Sequence, residues 1–576
     1  MELERLIAVA AGHKPADLVL HGGRIVNVLS HEVYEADVAI AEDRIAAVGG
    51  PFQAAAVVDC RGLFLCPGFF DAHVHIESSM LSVPEFARTV VAHGTTAVAA
   101  DPHEIANVMG AEGIRYILRT SKYAPIHVYV MLSSCVPASR WESAGAELGA
   151  VDLLPFLSDP WVLGLAEMMN YPGVVSGDPD VLAKLKVVGD RVIDGHAPGL
   201  TGSALQAYAA AGVRSDHECV TAEEAKERLR AGMRVMIREG SVARNLEALA
   251  GLVNLTNADQ FMFCTDDKHV DDLLREGHID YVIRRAIRLG MDPLLAIRLA
   301  TINPARYYGL KRRGAVAPGY QATLVALDDL ESIRPRKVWN DGKLVAQDGV
   351  CVSDQTAYLA ARPIVLRGSI NTHWLELSHF AIPAPAVNHA RIHVIEVVDD
   401  QVFTRRGVEP AAVREGQLVA DPDRDLVKLA VIERHSASGR VGLGFVRGLG
   451  LRRGAVASTV AHDAHNLIVA GVNDADMLAA AVHLIKIRGG LSVVEGGKVL
   501  ADVSLPIGGL MSDQPAAVVA RKLQEVGAAA ASLGCPLQRP FMSMSFLSLS
   551  VIGSLKLTDQ GLIDVDRFQR IDLIAP

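Results

Sequence analysis

No two cysteines in this chain are spaced as CxxC, and the seven present, an odd number, are scattered from Cys60 to Cys535. That excludes a zinc ribbon and a thioredoxin-type motif, and it points to reduced thiols in a cytoplasmic protein. An unbroken apolar run of about 18 residues is also missing, so neither a transmembrane helix nor a membrane partner is expected. The opening text, MELERLIAVAAGHKPADLVL, carries acids where a secretory leader would carry bases, which argues against export. There is no basic tract, and the formal net charge is −10, so a nucleic acid polymer is excluded as a partner. Aromatic residues make up only 5% of the 576 residues, whereas hydrophobic residues make up 50%. With abundant Ala, Val, Gly and Leu, this is the composition of a well-buried α/β enzyme of several domains.

Residues 16–50 read as short strands separated by Gly-Gly and Glu-Asp turns. From about residue 65 to residue 310 the text repeats strand, loop, helix. Eight strand-like runs can be separated: the one entering DAHVH, then 95–104, 126–134, 161–169, 191–199, 213–218, 234–241 and 261–267. Between them lie helical segments such as TAEEAKERLRAG, whose acids and bases recur on one face. Eight units over roughly 250 residues have the rhythm of a (β/α)8 TIM-like barrel; an open doubly wound sheet is the alternative. Strand-like text returns after residue 310. The expected division is a discontinuous β-sandwich of residues 1–65 and 310–363, a barrel over 66–309, and a C-terminal α/β domain over 364–576.

The most informative stretch is PGFFDAHVHIESSM, which delivers His73 and His75 at the end of the first barrel strand. Residues two apart in a strand face the same side, so these imidazoles form half of a metal site. Other barrel strands also end in polar residues, where such barrels build their active sites: Glu167 after the fourth, His196 after the fifth, His217 after the sixth and Asp266 after the eighth. Four imidazoles and two carboxylates suit two divalent transition ions. Glu167 is the natural bridge, with His73, His75 and Asp266 on one ion and His196 and His217 on the other. Such a pair lowers the pKa of water from about 16 towards 7 and supplies a nucleophile for an electron-poor carbon. Asp266 would then move the proton to the leaving group. The chemistry expected is hydrolysis at a carbonyl-like or amidine-like carbon.

PGFFDAHVH, the strand-end histidines, Asp266 and the segment ATINPARYYGL…GAVAPGYQATLVALDDL resemble the amidohydrolase superfamily. Within it, HVHIESSM, DPHEIANVMG, DGHAPGL, IREGSVARNL, CTDDKH, TVAHDAHNLIVAG and PFMSMSFLSLSVIGSLKLT are similar to the long, three-domain adenine deaminases of bacteria. The likeness covers nearly the whole chain. It departs from the hydantoinase and dihydroorotase pattern, in which a carboxylated lysine bridges the ions and no glutamate stands at the position of Glu167. The resemblance implies hydrolysis of adenine to hypoxanthine and ammonia in purine salvage, with Mn²⁺ preferred and Fe²⁺ or Zn²⁺ as alternatives. It also implies an acid that protonates the purine ring, for which Glu77, Glu104 and Glu239 are candidates, Glu239 being favoured because REGS follows a strand. His103 is a candidate further metal ligand, substrate contact or solvated loop residue, and Glu104, Arg238 and Ser241 are candidate substrate contacts. Barrels of this kind commonly pair, so a homodimer or dimer of dimers is expected.

Other motifs fall short. His75-Ile76-Glu77 has the HxE of zinc-dependent cytidine deaminases, but the PCxxC partner is absent. GLGFVRG has one residue too many for a dinucleotide loop. His462 and His465 could share a helix face, either as a buried pair or as a lid reaching the barrel mouth. The competing functions are a hydrolase for another aminopurine or a cyclic amide or amidine, and an inactive barrel scaffold, which should have lost ligands.

Overall fold

Eight short parallel strands, almost wholly buried, form the centre of the computed structural model, which describes residues 3–354, 368–386, 390–399 and 401–575. They are β1 (Phe69–Val74), β2 (Thr95–Ala100), β3 (His127–Leu132), β4 (Val162–Met168), β5 (Val192–Gly195), β6 (Ser215–Asp216), β7 (Arg234–Arg238) and β8 (Phe261–Cys264). Ladders join β1 through β5 and β6 through β8. The ring continues between β5 and β6 through the Arg214 amide, which donates to the Ile193 carbonyl at 3.0 Å. It closes through a parallel bridge between Val74 and Asp266. Strands covered on both faces need apolar side chains on both, which is why they read as near-continuous hydrophobic runs. Phe70, Ala97, Tyr129, Met131, Met236 and Met262 fill the interior. Their neighbours in sequence, Phe69, Val98, Val128, Val130, Val235 and Phe261, belong to the core shared with the outer helices.

Around the barrel run helices such as Val83–Val91, Ala111–Ser121, Ala222–Arg230 and Ile279–Arg288. The helix expected from TAEEAKERLRAG begins with a reciprocal cap. The Glu224 amide donates to Thr221 Oγ1 at 3.2 Å, and the Thr221 amide donates to Glu224 Oε2 at 3.1 Å.

The strands flanking the barrel in sequence meet in one nine-stranded sheet. The segment 64–67 that leads into β1 lies parallel to 16–27 and antiparallel to 324–327, with Leu324 opposite Pro67. The sheet's edge strand 44–49 returns to the segment before 324–327, through a bridge between Arg44 and Gln321 and the Ile45 amide donating to the Tyr320 carbonyl at 2.8 Å, so a single sheet curls on itself around Ile40, Leu65, Leu324 and Trp339.

The C-terminal part is richer in strand than its text suggests. It holds a second nine-stranded sheet and a small three-stranded one over 555–571, with helices Asp474–Lys486 and Ala516–Ser532. The junction expected at 363 and 364 lies outside the described residues. Among the described residues, no helix is long and apolar enough to cross a membrane.

Candidate metal centre

In β1, regular alternation from Phe70 and Ala72 would turn His73 outward. The ladder to β2 slips between Asp71 and Val74, so Val74 packs outward while His73 and His75 face the same interior point. Asp71 fixes this end by accepting from the amides of His73 (3.2 Å) and Thr265 (3.1 Å), which ties β1 to the end of β8. Just beyond β8, Asp266 sits in the left-handed region at φ 58°, an uncommon conformation that the bridge to Val74 stabilises.

Nε2 of His73 and Nε2 of His75 lie 3.1 Å apart. Asp266 Oδ1 is 3.0 Å from the His75 nitrogen and 3.6 Å from that of His73. Glu167, on β4, divides its carboxylate. Oε1 lies 3.2 Å from His75 Nε2 and 3.7 Å from His73 Nε2, while Oε2 lies 2.6 Å from His196 Nδ1 and 3.3 Å from His217 Nε2. The loops carrying the last two histidines are joined by a buried ion pair. Arg228 donates to Asp216 Oδ2 at 2.8 Å and to the carbonyls of Ala197 (2.6 Å) and Leu200 (2.7 Å).

These residues fit divalent ions. Donor separations of 3.0–3.7 Å are edge lengths around a centre about 2.1 Å from each donor. His75 Nδ1 faces the Asp101 carbonyl at 3.1 Å, which fixes the tautomer and leaves Nε2 free to ligate. Burial alone would strip protons from His75 and His217, yet the surrounding carboxylates raise the proton affinity of both. A pocket that draws protons onto buried imidazoles attracts cations.

Arg238 lies at the edge of the donor set. It donates to Glu218 Oε1 at 2.5 Å, to Glu218 Oε2 at 3.0 Å and to Asp266 Oδ2 at 2.6 Å. Burial would push the Asp266 carboxyl up, but the Arg238 guanidinium beside it holds it well below the usual carboxylate range.

All six expected ligand positions converge, and His103, Glu104 and Arg238 line the same cavity. Three expected residues do not line it. Glu239 is engaged by Arg285, in a buried ion pair away from the cavity. Glu77 accepts from the Ile105 amide at 3.1 Å, and burial pushes its carboxyl up to about 7. Ser241 donates to Asp272 at 2.5 Å and accepts from the His269 amide at 2.9 Å, which makes it a loop anchor.

Sequence reading overlooked three acids. Glu218 lies 3.5 Å from His196 Nδ1 and 3.4 Å from His217 Nε2, and its signal was adjacency to His217 in SDHE. Asp101 orients His103 at 2.8 Å. Asp463 arrives from the C-terminal part and lines the cavity with Phe546, Leu549 and Ile552. His462 and His465 share a turn, not a helix face, and both reach Glu104: His462 Nδ1 at 2.7 Å from Oε1, and His465 Nε2 against Oε2.

A closed barrel that gathers imidazoles and carboxylates at the carboxyl ends of its strands is the architecture of the amidohydrolase family, whose model residues 64–346 match. Residues 401–569 match the adenine deaminase C-terminal domain. An adenine deaminase of Desulfatibacillum aliphaticivorans is 47% identical over 572 residues, covering 99% of each chain. One from Oleidesulfovibrio alaskensis is 48% identical over 574 residues, again 99% of each, and one from Kosmotoga olearia is 45% identical over 568 residues, 98% of each. The chain belongs to the adenine deaminase family.

Proposed function

We propose that this chain hydrolyses adenine to hypoxanthine and ammonia. The observation that carries the reading is the divided carboxylate of Glu167, one oxygen towards His73 and His75 and the other towards His196 and His217. Relatives similar along their whole length bear the name adenine deaminase, which supports adenine as the substrate.

His73, His75 and Asp266 would hold one divalent ion and His196 and His217 a second, with Glu167 shared. Mn²⁺ is the preferred ion, and Fe²⁺ and Zn²⁺ also suit mixed imidazole and carboxylate donors. When bound, such ions make water acidic enough to supply a nucleophile at neutral pH. Asp266, kept ionised by Arg238, takes up a proton and passes it to the departing amine. Of the three acids considered for protonating the purine ring, Glu104 is the one at the cavity wall; burial would push its carboxyl up, but His462, His465 and His103 hold it well below the usual carboxylate range, so it stands there as an ionised acceptor. Met169, Phe546, Leu549 and Ile552 give that wall apolar surface suited to a flat base. The same reading makes the protein a cytoplasmic enzyme of purine salvage that assembles as a homodimer or dimer of dimers, checked by its mass in solution.

The test is to prepare the enzyme with Mn²⁺, count bound metal, and follow ammonia release from adenine, adenosine and cytosine. Two ions per chain and release from adenine are expected. Release from cytosine alone would overturn the choice of substrate, and full activity with a single ion would overturn the divided-carboxylate reading.

A further inference from the structure

Asp463 lines the cavity, yet neither the donor set nor the proton transfer uses it. It is 3% exposed, and its Oδ2 has no hydrogen-bond partner. Oδ1 lies 3.9 Å from His462 Nδ1, a nitrogen that Glu104 already engages at 2.7 Å. Burial pushes the Asp463 carboxyl up to about 6, and its Oδ2 is held without a donor. Glu104 and Glu167 act on Asp463 through their charge, and Glu142 takes a hydrogen bond from Ser550 at 3.1 Å and is driven towards its neutral form by burial and by the charge of Asp463. A buried acceptor in this state gains more from a ligand's N–H than an exposed one would.

Asp463 shares the cavity wall with the metal donors. A chain of contacts runs between them: His103 Nδ1 lies 3.7 Å from Glu167 Oε1 and its Nε2 3.5 Å from Glu104 Oε1, and Glu104 faces His462, the neighbour of Asp463 in sequence. A flat ligand held at the donors fills a cavity whose wall includes Asp463. Adenine has its reactive amine on the six-membered ring and its single ring N–H on the five-membered ring.

We propose that Asp463 accepts a hydrogen bond from the purine N9–H and thereby selects the free base over purines substituted at that nitrogen, nucleosides included. The proposal rests on the adenine deaminase reading of the site and assigns part of its specificity to the C-terminal part of the chain.

The first test needs no mutation. In the Mn²⁺-loaded enzyme, 9-methyladenine should compete with adenine at least about tenfold more weakly than adenine's own KM implies. Equal affinity overturns the proposal. The second test separates hydrogen bonding from crowding. In Asp463→Asn and Asp463→Ala, kcat/KM for adenine should fall by about tenfold or more, mainly through KM, with the metal count unchanged. Affinity for 9-methyladenine should stay level or rise, so the discrimination narrows. A parallel loss for both ligands, or no loss for adenine, overturns the assignment. If the alanine variant does not fold, the asparagine variant and the competition result decide. An unmodified enzyme that releases no ammonia from adenine is a separate outcome, and it defeats the adenine reading itself.

Discussion

Replacing Glu104 by Gln keeps the shape of a side chain that joins the barrel to the C-terminal part, and removes its charge. The carboxylate faces His462 at 2.7 Å, engages His465, and lies 3.5 Å from His103. Burial alone would lower the proton affinity of His462, yet Glu104 raises it from 6.5 to about 9. Burial takes His465 the other way, down to about 4, so near neutrality the two histidines share one proton, on His462. A histidine whose folded-state pKa is raised stabilises the fold fully below its unfolded pKa and loses that contribution as pH climbs through the folded value. For 6.5 and about 9, the contribution is on the order of 3 kcal/mol up to about pH 7 and is largely gone by about pH 9. At roughly 2–4 °C per kcal/mol for a unit of about 200 residues, Glu104→Gln should melt several degrees below the unmodified protein at pH 6–7. By about pH 9.5 the two should converge. The assay is thermal unfolding of both Mn²⁺-loaded proteins across pH 6–9.5, where titrations common to both cancel in the difference. A gap that is constant, or that widens with pH, refutes the reasoning.

Other substitutions separate metal binding from turnover and both from stability. Asp266→Asn should retain most of its metal while kcat falls by about a thousandfold, read from ammonia release alongside metal analysis. His73→Ala should lose one of two ions, and a full complement of metal would remove His73 from the ligand set. Glu239→Gln should lower the melting temperature, because it weakens a buried pair with Arg285, and leave kcat unchanged. Arg434→Met should destabilise the protein by about 3–5 kcal/mol, since the buried guanidinium donates to the carbonyls of Ser369, Thr459, His465 and Gly508. Because Thr459 and His465 flank the turn that carries Asp463, the KM for adenine should rise in the same variant.

The barrel was legible because its strands are covered on both sides, so each stands out as a short apolar run that stops at a polar residue. The strand-end positions of His73, His75, Glu167, His196, His217 and Asp266 followed from the same punctuation. What the sequence did not disclose is direction. Glu239 leaves β7 towards Arg285, whereas Glu218, after a strand of only two residues, turns back to the histidines. Spacing by three also misled at His462 and His465, where a turn with His465 at φ 54° replaces a helix. Their partner Glu104 lies more than 350 residues earlier, and no local pattern announces a meeting over that distance. The curled sheet was hidden for a similar reason, since strand periodicity reports which face is covered and not what covers it.

That sheet has a consequence for how the chain is made. Segment 64–67 has one neighbour at 16–27, available early, and a second at 324–327, which emerges about 260 residues later. At about 5–20 residues per second, an unpaired edge waits for roughly 13–50 s of translation. All eight barrel strands are synthesised inside that interval, so the base of the barrel is fastened only after the barrel itself has left the ribosome.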